Sequence, residues 1–283
     1  MNSMTGTTAN RRRRRREVNP LEYLKRPWMW FSLLGCFIFL YFPIVTLVVF
    51  SFNSYKRAFV WKGFSLQWYE KALNNQSLHD AFINSMEVAA WSTVVSTALG
   101  AMLGLALYRY RFPFKGTYEG LAHLPIVIPE ICMAVAMVTF FWAVGIELSL
   151  ATVIVSHIAF TIPFVAVVVR ARMAGFDVSL EEASRDLGAS EWQTFWNVTF
   201  PYMIPGLVAG ALMSFVLSLD DFVITFFTAG VGDNTFPVKI YSMLRFSVTP
   251  EVNAASTVLI VITLSLTLVA MIMQSRWTKG PKE

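Results

Sequence analysis

Six long apolar segments constrain this chain more than any other feature of its sequence. A helix that crosses the hydrocarbon core of a bilayer needs about 20 mostly apolar residues, and six segments meet this length. Only 14% of the residues are charged, whereas about 25% is usual in soluble domains. The sequence therefore predicts an all-α polytopic membrane protein with six transmembrane helices. They are expected at residues 28–52, 86–108, 121–143, 148–169, 203–227 and 254–273.

The distribution of Lys and Arg predicts how the chain is oriented. Loops on the cytoplasmic side carry an excess of these residues. With the N-terminus inside, the inner segments hold 17 of them and the outer segments six. We therefore expect a multi-pass protein of the cell (inner) membrane with both termini in the cytoplasm.

A run of six arginines, 11–16, precedes the first apolar segment. At this position it favours contact with anionic lipid headgroups over binding to nucleic acid. We predict a basic, disordered N-terminal tail at 1–27, followed by a single six-helix domain at 28–276.

A polar segment at 177–201 interrupts the apolar second half of the chain. It contains two Ser-x-x-Glu/Gln patterns, in which the serine and the acidic or amide side chain each satisfy a backbone N–H at a helix start. Gly188 lies between them and suits the left-handed conformation that closes a short helix. We predict two short helices bent about this glycine. The two patterns are Ser179 with Glu182 and Ser190 with Gln193.

Three aromatic residues lie close together in the second of these helices: Trp192, Phe195 and Trp196. A loop in water has no reason to carry so much aromatic surface unless something covers it. Two explanations stay open at this point. The rings lie at the lipid headgroups or under the loop, or they dock onto a partner protein.

The segment resembles the EAA loop in the permease subunits of binding-protein-dependent ABC importers. The matching residues are Glu182-Ala183-Ser184, then Gly188 after three residues, then Val198-Thr199-Phe200-Pro201 after nine more. Ser184, Val198 and Phe200 depart mildly from the family pattern of alanine, isoleucine and leucine. The resemblance implies the type 1 ABC importer permease fold and a cytoplasmic coupling helix seated in a cleft of a separate ABC ATPase subunit. The coupling residues that it implies are Glu182, Ala183, Ser184, Leu187, Gly188 and Pro201.

Three further segments look like the polyamine (spermidine/putrescine) branch of these permeases, and in particular its C-type subunit. They are 170–176, 218–224 and 247–253, and the similarity extends from about residue 31 to 273. The resemblance implies a second permease in a heterodimer, two ATPase subunits and an extracytoplasmic polyamine-binding protein.

The chain carries no recognisable catalytic motif. The dipeptide Gly-Lys of a phosphate-binding loop does not occur, and only three His and two Cys are present. We therefore expect no catalytic residue, no cofactor and no metal site. The chain is predicted not to be an enzyme, and any ATP hydrolysis belongs to another subunit.

Acidic residues interrupt two of the apolar segments. Glu130 follows Pro129 in the third, and Asp220 with Asp221 lies in the fifth. An ionised carboxylate at mid-bilayer costs at least about 2.5 kcal/mol, so such residues face a cavity or a partner. One interpretation is a pathway for a cationic solute, with cation–π contacts from aromatic side chains. The residues of this predicted pathway are Glu130, Asp220, Asp221, Phe222 and Trp142.

Other interpretations stay open. The acids could instead cap broken helices or pair with a partner subunit, and His157 is expected to form hydrogen bonds between helices. For the whole chain, the alternatives are a permease of the same class for iron, sulfate or an organophosphate, a six-helix membrane enzyme, or a channel. An enzyme would need a cluster of catalytic or metal-binding residues at one membrane depth, and the sequence offers only scattered ones. A channel leaves the polar loop at 177–201 unexplained.

Overall fold

The computed structural model describes residues 27–56, 60–246 and 249–278. The predicted tail at 1–27, with its arginine run, lies outside these residues except for Pro27. The described residues form twelve α-helices and one π-helical turn. The helices are α1 Pro27–Ser51, α2 Gln67–Leu73, α3 Gln76–Arg109, α4 Lys115–Val127, α5 Glu130–Val144, α6 Leu150–Met173, α7 Ser179–Asp186, α8 Glu191–Thr194, α9 Phe200–Asp220, α10 Val223–Thr228, α11 Phe236–Phe246 and α12 Pro250–Thr278; the π-helical turn is Phe195–Thr199.

The predicted number of membrane helices agrees with the structure. Among the described residues, five helical segments are long and apolar enough to cross a membrane. The bent pair of α4 and α5 makes a sixth if it forms one span. The fourth of the five single spans is continuous from Glu191 through the π-helical turn to Asp220.

The chain divides into two units between Val49 and Phe50. Helix α1 makes up nearly all that is described of the first unit. It is apolar on all sides, and none of its residues before Ser51 is buried. A helix that is apolar all round is typical of a membrane span.

The second unit is built on the packing of α3, α6 and α9. Helix α3 approaches α6 closely because it carries glycine at two points of contact. A Cβ atom at Gly100 would lie 2.7 Å from Val165 Cβ, and one at Gly104 would lie 2.6 Å from the carbonyl oxygen of Ala166. Small residues allow such close approach, which is how helices associate in lipid.

Serine hydroxyls join α3 to α9 within the membrane. Ser92 donates to Ser218 over 2.9 Å, and the hydroxyls of Ser96 and Ser214 are 2.8 Å apart. All four side chains are buried. These two contacts lie one helical turn apart, so they fix the register of α3 against α9.

We expect Gly104→Ala to destabilise the protein by about 1–3 kcal/mol, because the added methyl group meets backbone rather than a side chain that can move. Gly120→Ala in α4 is the matched control, since its Cβ would meet nothing within 4 Å. Thermal unfolding of the two purified variants in detergent tests this. Equal midpoints would contradict the close packing of α3 on α6.

The third predicted segment, 121–143, is bent at the proline that interrupts its sequence. Helices α4 and α5 meet at 105° across a break at Ile128 and Pro129. Ile128 is extended (φ −71°, ψ 136°), as expected for a residue that precedes proline. The bend places Glu130 at the first position of α5.

The predicted helix at 203–227 is also interrupted. Helix α9 ends at Asp220, and Asp221 is extended (φ −62°, ψ 129°) before α10 begins at Val223. The break exposes backbone N–H groups at the start of α10, and the aspartate side chain satisfies two of them, as described below.

Candidate functional site

The polar segment at 177–201 folds as its sequence predicts in outline. Helix α7 ends before Gly188, which has φ +89°, and helix α8 begins at Glu191. The chain then passes through the π-helical turn into α9 without a break. The loop is therefore joined directly to a membrane helix. We call the segment 177–201 the loop.

Only one of the two predicted capping patterns forms. Ser190 Oγ accepts from the N–H of Gln193, and Gln193 Oε1 accepts from the N–H of Ser190. The predicted pair of Ser179 and Glu182 is wrong, because Ser179 is already the first helical residue. Asp177 acts instead, and its Oδ1 accepts from the N–H of Ser179 at 3.0 Å. Hydrogen bonding to Ser179 lowers the pKa of this exposed carboxyl.

Most of the predicted coupling residues lie on the surface. Leu187 is 91% exposed, an unusual position for a large apolar side chain. Ser184 is the exception: it is half-buried, and its hydroxyl is 3.1 Å from that of Thr194, which connects α7 to α8. The exposed predicted coupling residues are Glu182, Ala183, Leu187, Gly188 and Pro201.

The aromatic residues of the loop pack on one another and still present surface. The rings of Trp192 and Trp196 are 5.6 Å apart, and those of Trp196 and Phe200 are 4.7 Å apart. Trp192 is 70% exposed. Phe195, Trp196 and Phe200 also line an apolar groove of about 680 Å³ between α3 and α9. The described residues do not cover this surface, so lipid and a partner protein both stay open as what covers it.

The sequence interpretation missed a buried acid in the loop. Glu181, the neighbour of Glu182, is 3% exposed. Its carboxylate binds Arg109 at the end of α3 and accepts a hydrogen bond from Thr199. Two adjacent acids in a short helix look alike in sequence, and only the packing of α7 shows which one is turned inward.

Asp221 is a structural residue at the break between α9 and α10. Its carboxylate accepts from the N–H groups of Ile224 (3.3 Å) and Thr225 (2.9 Å). It also lies 3.3 Å from Nε2 of His157, which is buried in α6. The other ring nitrogen of His157 is 2.7 Å from Ser218 Oγ. His157 therefore bonds between helices as predicted, and Asp221 has the capping role that the sequence left open.

Asp220 and Glu130 differ from Asp221 because both are exposed. Helix α5 packs against α10, which brings Glu130 within electrostatic range of both aspartates. The structure therefore gathers the three acids that are far apart in the sequence. A cluster of carboxylates at a helix break attracts cations, and two of its members are accessible.

Of the two aromatic residues predicted for the pathway, one lies beside the acidic cluster and the other lies far from it. Phe222 follows Asp221 directly, is half-buried, and packs against Tyr241 with ring centroids 4.7 Å apart and ring planes tilted by 47°. Trp142 is 82% exposed and lies twelve residues beyond Glu130 in α5, which is about 18 Å along the helix axis. Trp142 is therefore not part of the acidic cluster. Among the described residues, no group of three or more His, Cys, Asp or Glu side chains is placed to hold a metal ion.

Residues 96–280 match the family of binding-protein-dependent transport system inner membrane components. The chain is 39% identical to the spermidine/putrescine transport system permease protein PotC of Escherichia coli K12, over 88% of this chain and 94% of that protein. It is 34% identical to the putrescine transport system permease protein PotI of the same organism, over 86% and 89%.

Solved structures show the same fold. A chain of a bacterial ABC transporter that imports alginate superposes with a TM-score of 0.70 at 18% identity, over 92% of this chain and 99% of that one. A chain of the MetNI methionine ABC transporter gives 0.57 at 20% identity, over 72% and 95%. These matches confirm the predicted importer permease fold and the predicted family. The chain belongs to the family of binding-protein-dependent transport system inner membrane components, the permease subunits of ABC importers.

Proposed function

We propose that this chain is the permease subunit of an ATP-driven importer for polyamines, with spermidine or putrescine as substrate. The observation that carries the proposal is its 39% identity to a spermidine/putrescine permease over 88% of the chain. The cluster of Glu130, Asp220 and Asp221 supports a cationic solute, because two of its carboxylates, those of Glu130 and Asp220, are accessible and attract positive charge. The proposed partners are a second permease, ABC ATPase subunits and an extracytoplasmic polyamine-binding protein.

The proposed orientation places the loop and both termini in the cytoplasm. The excess of Lys and Arg in the segments on that side supports it. The ATPase then docks on the exposed surface of α7 and the residue that follows it, where Glu182 and Leu187 lie. The acidic cluster lies at the far end of α9, about 30 Å from the loop, since this helix has 21 residues.

The proposed cycle alternates between two packings of the permease pair. Closure of the ATPase subunits moves α7, and the membrane helices shift toward the outward-facing state because ATP favours the closed ATPases. The binding protein then releases its polyamine into a passage that holds it weakly, since a tight site would slow its departure to the cytoplasm.

Purification of the tagged chain in mild detergent tests the proposal. We expect an ATPase subunit, a second permease and a binding protein to co-purify, and mass spectrometry of the binding protein to identify a polyamine. Uptake of labelled spermidine by liposomes containing the complex is expected to need ATP and to be competed by putrescine but not by sulfate. A complex without an ATPase, or a binding protein that holds a different solute, would contradict the proposal.

A further inference from the structure

The two adjacent acids of α7 face opposite environments. Successive residues of a helix point about 100° apart, so Glu181 is 3% exposed while Glu182 is exposed. The same short helix therefore presents one carboxylate to the outside and one to the interior of the permease. Docking of a partner accounts for Glu182 but gives no role to Glu181.

Glu181 joins α7 to α3. Its Oε1 lies 2.9 Å from Arg109 Nη1, and its Oε2 lies 2.9 Å from Arg109 Nη2. Arg109 is the last residue of α3. Two parallel charge-assisted hydrogen bonds fix the orientation of both side chains. A single contact between two flexible side chains would leave their orientation free.

Glu181 also joins α7 to α9. The hydroxyl of Thr199 donates to Oε1, and Thr199 is fully buried at the last position of the π-helical turn. The next residue, Phe200, begins α9. One buried carboxylate therefore connects the loop to two membrane helices. π-helical turns are often found at functional sites, and this one lies at the connection.

Helices α3 and α9, which Glu181 connects, are also hydrogen-bonded to each other within the membrane. Ser92 with Ser218 and Ser96 with Ser214 form hydrogen bonds between α3 and α9. Helix α9 then ends at Asp220, in the acidic cluster. Buried side chains and regular helix connect α7 to this cluster without a gap, and rigid elements of this kind carry energetic coupling between sites.

We infer that Glu181 is a positioning residue for transport: it transmits displacement of α7 to α3 and α9 through Arg109 and Thr199, while Glu182 and Leu187 dock the ATPase. The inference rests on the proposed function. It assigns separate roles to two neighbouring glutamates of one helix. Loss of Glu181 then uncouples ATP hydrolysis from transport, and loss of the docking residues removes the ATPase itself.

The test uses the complete reconstituted complex with Glu181→Gln, Arg109→Gln and the double variant. We expect each variant to retain the ATPase subunit within about twofold of the wild type. Polyamine uptake is expected to fall by at least about fivefold, the lower end of typical coupling between sites. The stimulation of ATP hydrolysis by the loaded binding protein is expected to fall together with uptake. Uptake by the double variant is expected to be no lower than that of the more impaired single variant, because both substitutions remove the same contact between Glu181 and Arg109.

Three further variants separate transmission from simple loss of stability. Glu87→Gln removes an exposed charge from α3, away from the loop, and is expected to behave as the wild type. Arg109→Lys keeps the charge without the paired hydrogen bonds, so uptake is expected to be intermediate. Thr199→Val removes the hydroxyl that donates to Glu181 and keeps a similar side-chain volume. This variant replaces Glu181→Gln in the test if the Glu181→Gln complex fails to assemble. For each variant, the ratio of stimulated to basal hydrolysis is compared with the unfolding midpoint of the complex.

Several outcomes overturn the inference. Loss of the ATPase from Glu181→Gln and Thr199→Val complexes shows a docking role, and unchanged uptake shows no role in transport. Additive losses in the double variant show that Arg109 and Glu181 act separately. A fall in midpoint with an unchanged stimulation ratio shows a purely structural contact. If the wild-type complex itself lacks an ATPase or polyamine uptake, the proposed function fails rather than the role of Glu181.

Discussion

Glu182→Ala and Leu187→Ala are each expected to release the ATPase subunit from the purified complex, while the permease still inserts into the membrane. Glu182 is exposed on α7, and Leu187, which directly follows this helix, is 91% exposed. Central interface side chains typically contribute about 2 kcal/mol or more when truncated. This corresponds to about 30-fold weaker binding. Co-purification of the ATPase with the tagged chain at graded ATPase concentrations measures the change.

Leu73→Ala is the matched control for this experiment. Leu73 is also a highly exposed leucine at 75%, but it lies in α2 and outside the loop. We expect this variant to retain the ATPase fully. If neither loop variant changes co-purification, the docking assignment of α7 is removed. If Leu73→Ala loses the ATPase as Leu187→Ala does, the loss reflects a general effect of truncating exposed leucines.

The six membrane segments could be predicted because composition alone determines them. A run of about 20 apolar residues has few alternatives in a bilayer, and the structure has five such spans with one bent pair. The breaks at Pro129 and Asp221 were harder to place. Both residues were recognised as interruptions in the sequence, but an apolar run does not show whether a helix continues through them. Packing decides this, since α10 lies against α5 and α6.

The second capping pattern and the turn at Gly188 could also be predicted, because they depend on residues a few positions apart. The first pattern failed for a local reason: Asp177 competes for the same N–H and binds it. The role of Glu181 could not be found from the sequence. Its partners in other elements, Arg109 and Thr199, are 72 and 18 residues away, and no short-range pattern connects them. Its third partner, Arg185, lies four residues on in α7, 3.7 Å away, and such a pair is equally typical of an exposed helix face.

The three membrane acids show the same limit on prediction. Sequence identifies them as unusual in an apolar segment but does not separate their roles. The structure places Asp221 between His157 and the first turn of α10, whereas Asp220 and Glu130 remain exposed. We therefore expect their variants to behave differently.

Asp220→Asn and Glu130→Gln are expected to reduce polyamine uptake by roughly 10-fold or more without affecting assembly. A hydrogen bond between a charged pair contributes about 1.5–3 kcal/mol, and amides keep the shape of the side chain while removing its charge. Initial rates of labelled spermidine uptake into liposomes, measured over a range of concentrations and at two salt concentrations, test this. The defect is expected to lie in the apparent affinity, and the salt dependence of uptake is expected to weaken because a charge has been removed.

Asp221→Asn is expected to lower assembly together with uptake, because its carboxylate is buried beside His157 and accepts from the start of α10. Leaving a buried hydrogen-bonding group without its partner typically costs about 1–3 kcal/mol. Glu87→Gln is the control, since Glu87 is an exposed carboxylate of α3 outside the cluster. We expect this variant to leave both assembly and polyamine uptake unchanged.

If Asp220→Asn loses assembly as severely as Asp221→Asn, the cluster is structural and the cation pathway lies elsewhere. If Asp221→Asn assembles normally while uptake is lost, the buried aspartate contributes directly to the pathway, and the break between α9 and α10 is held by His157, Ser218 and Thr225 without it.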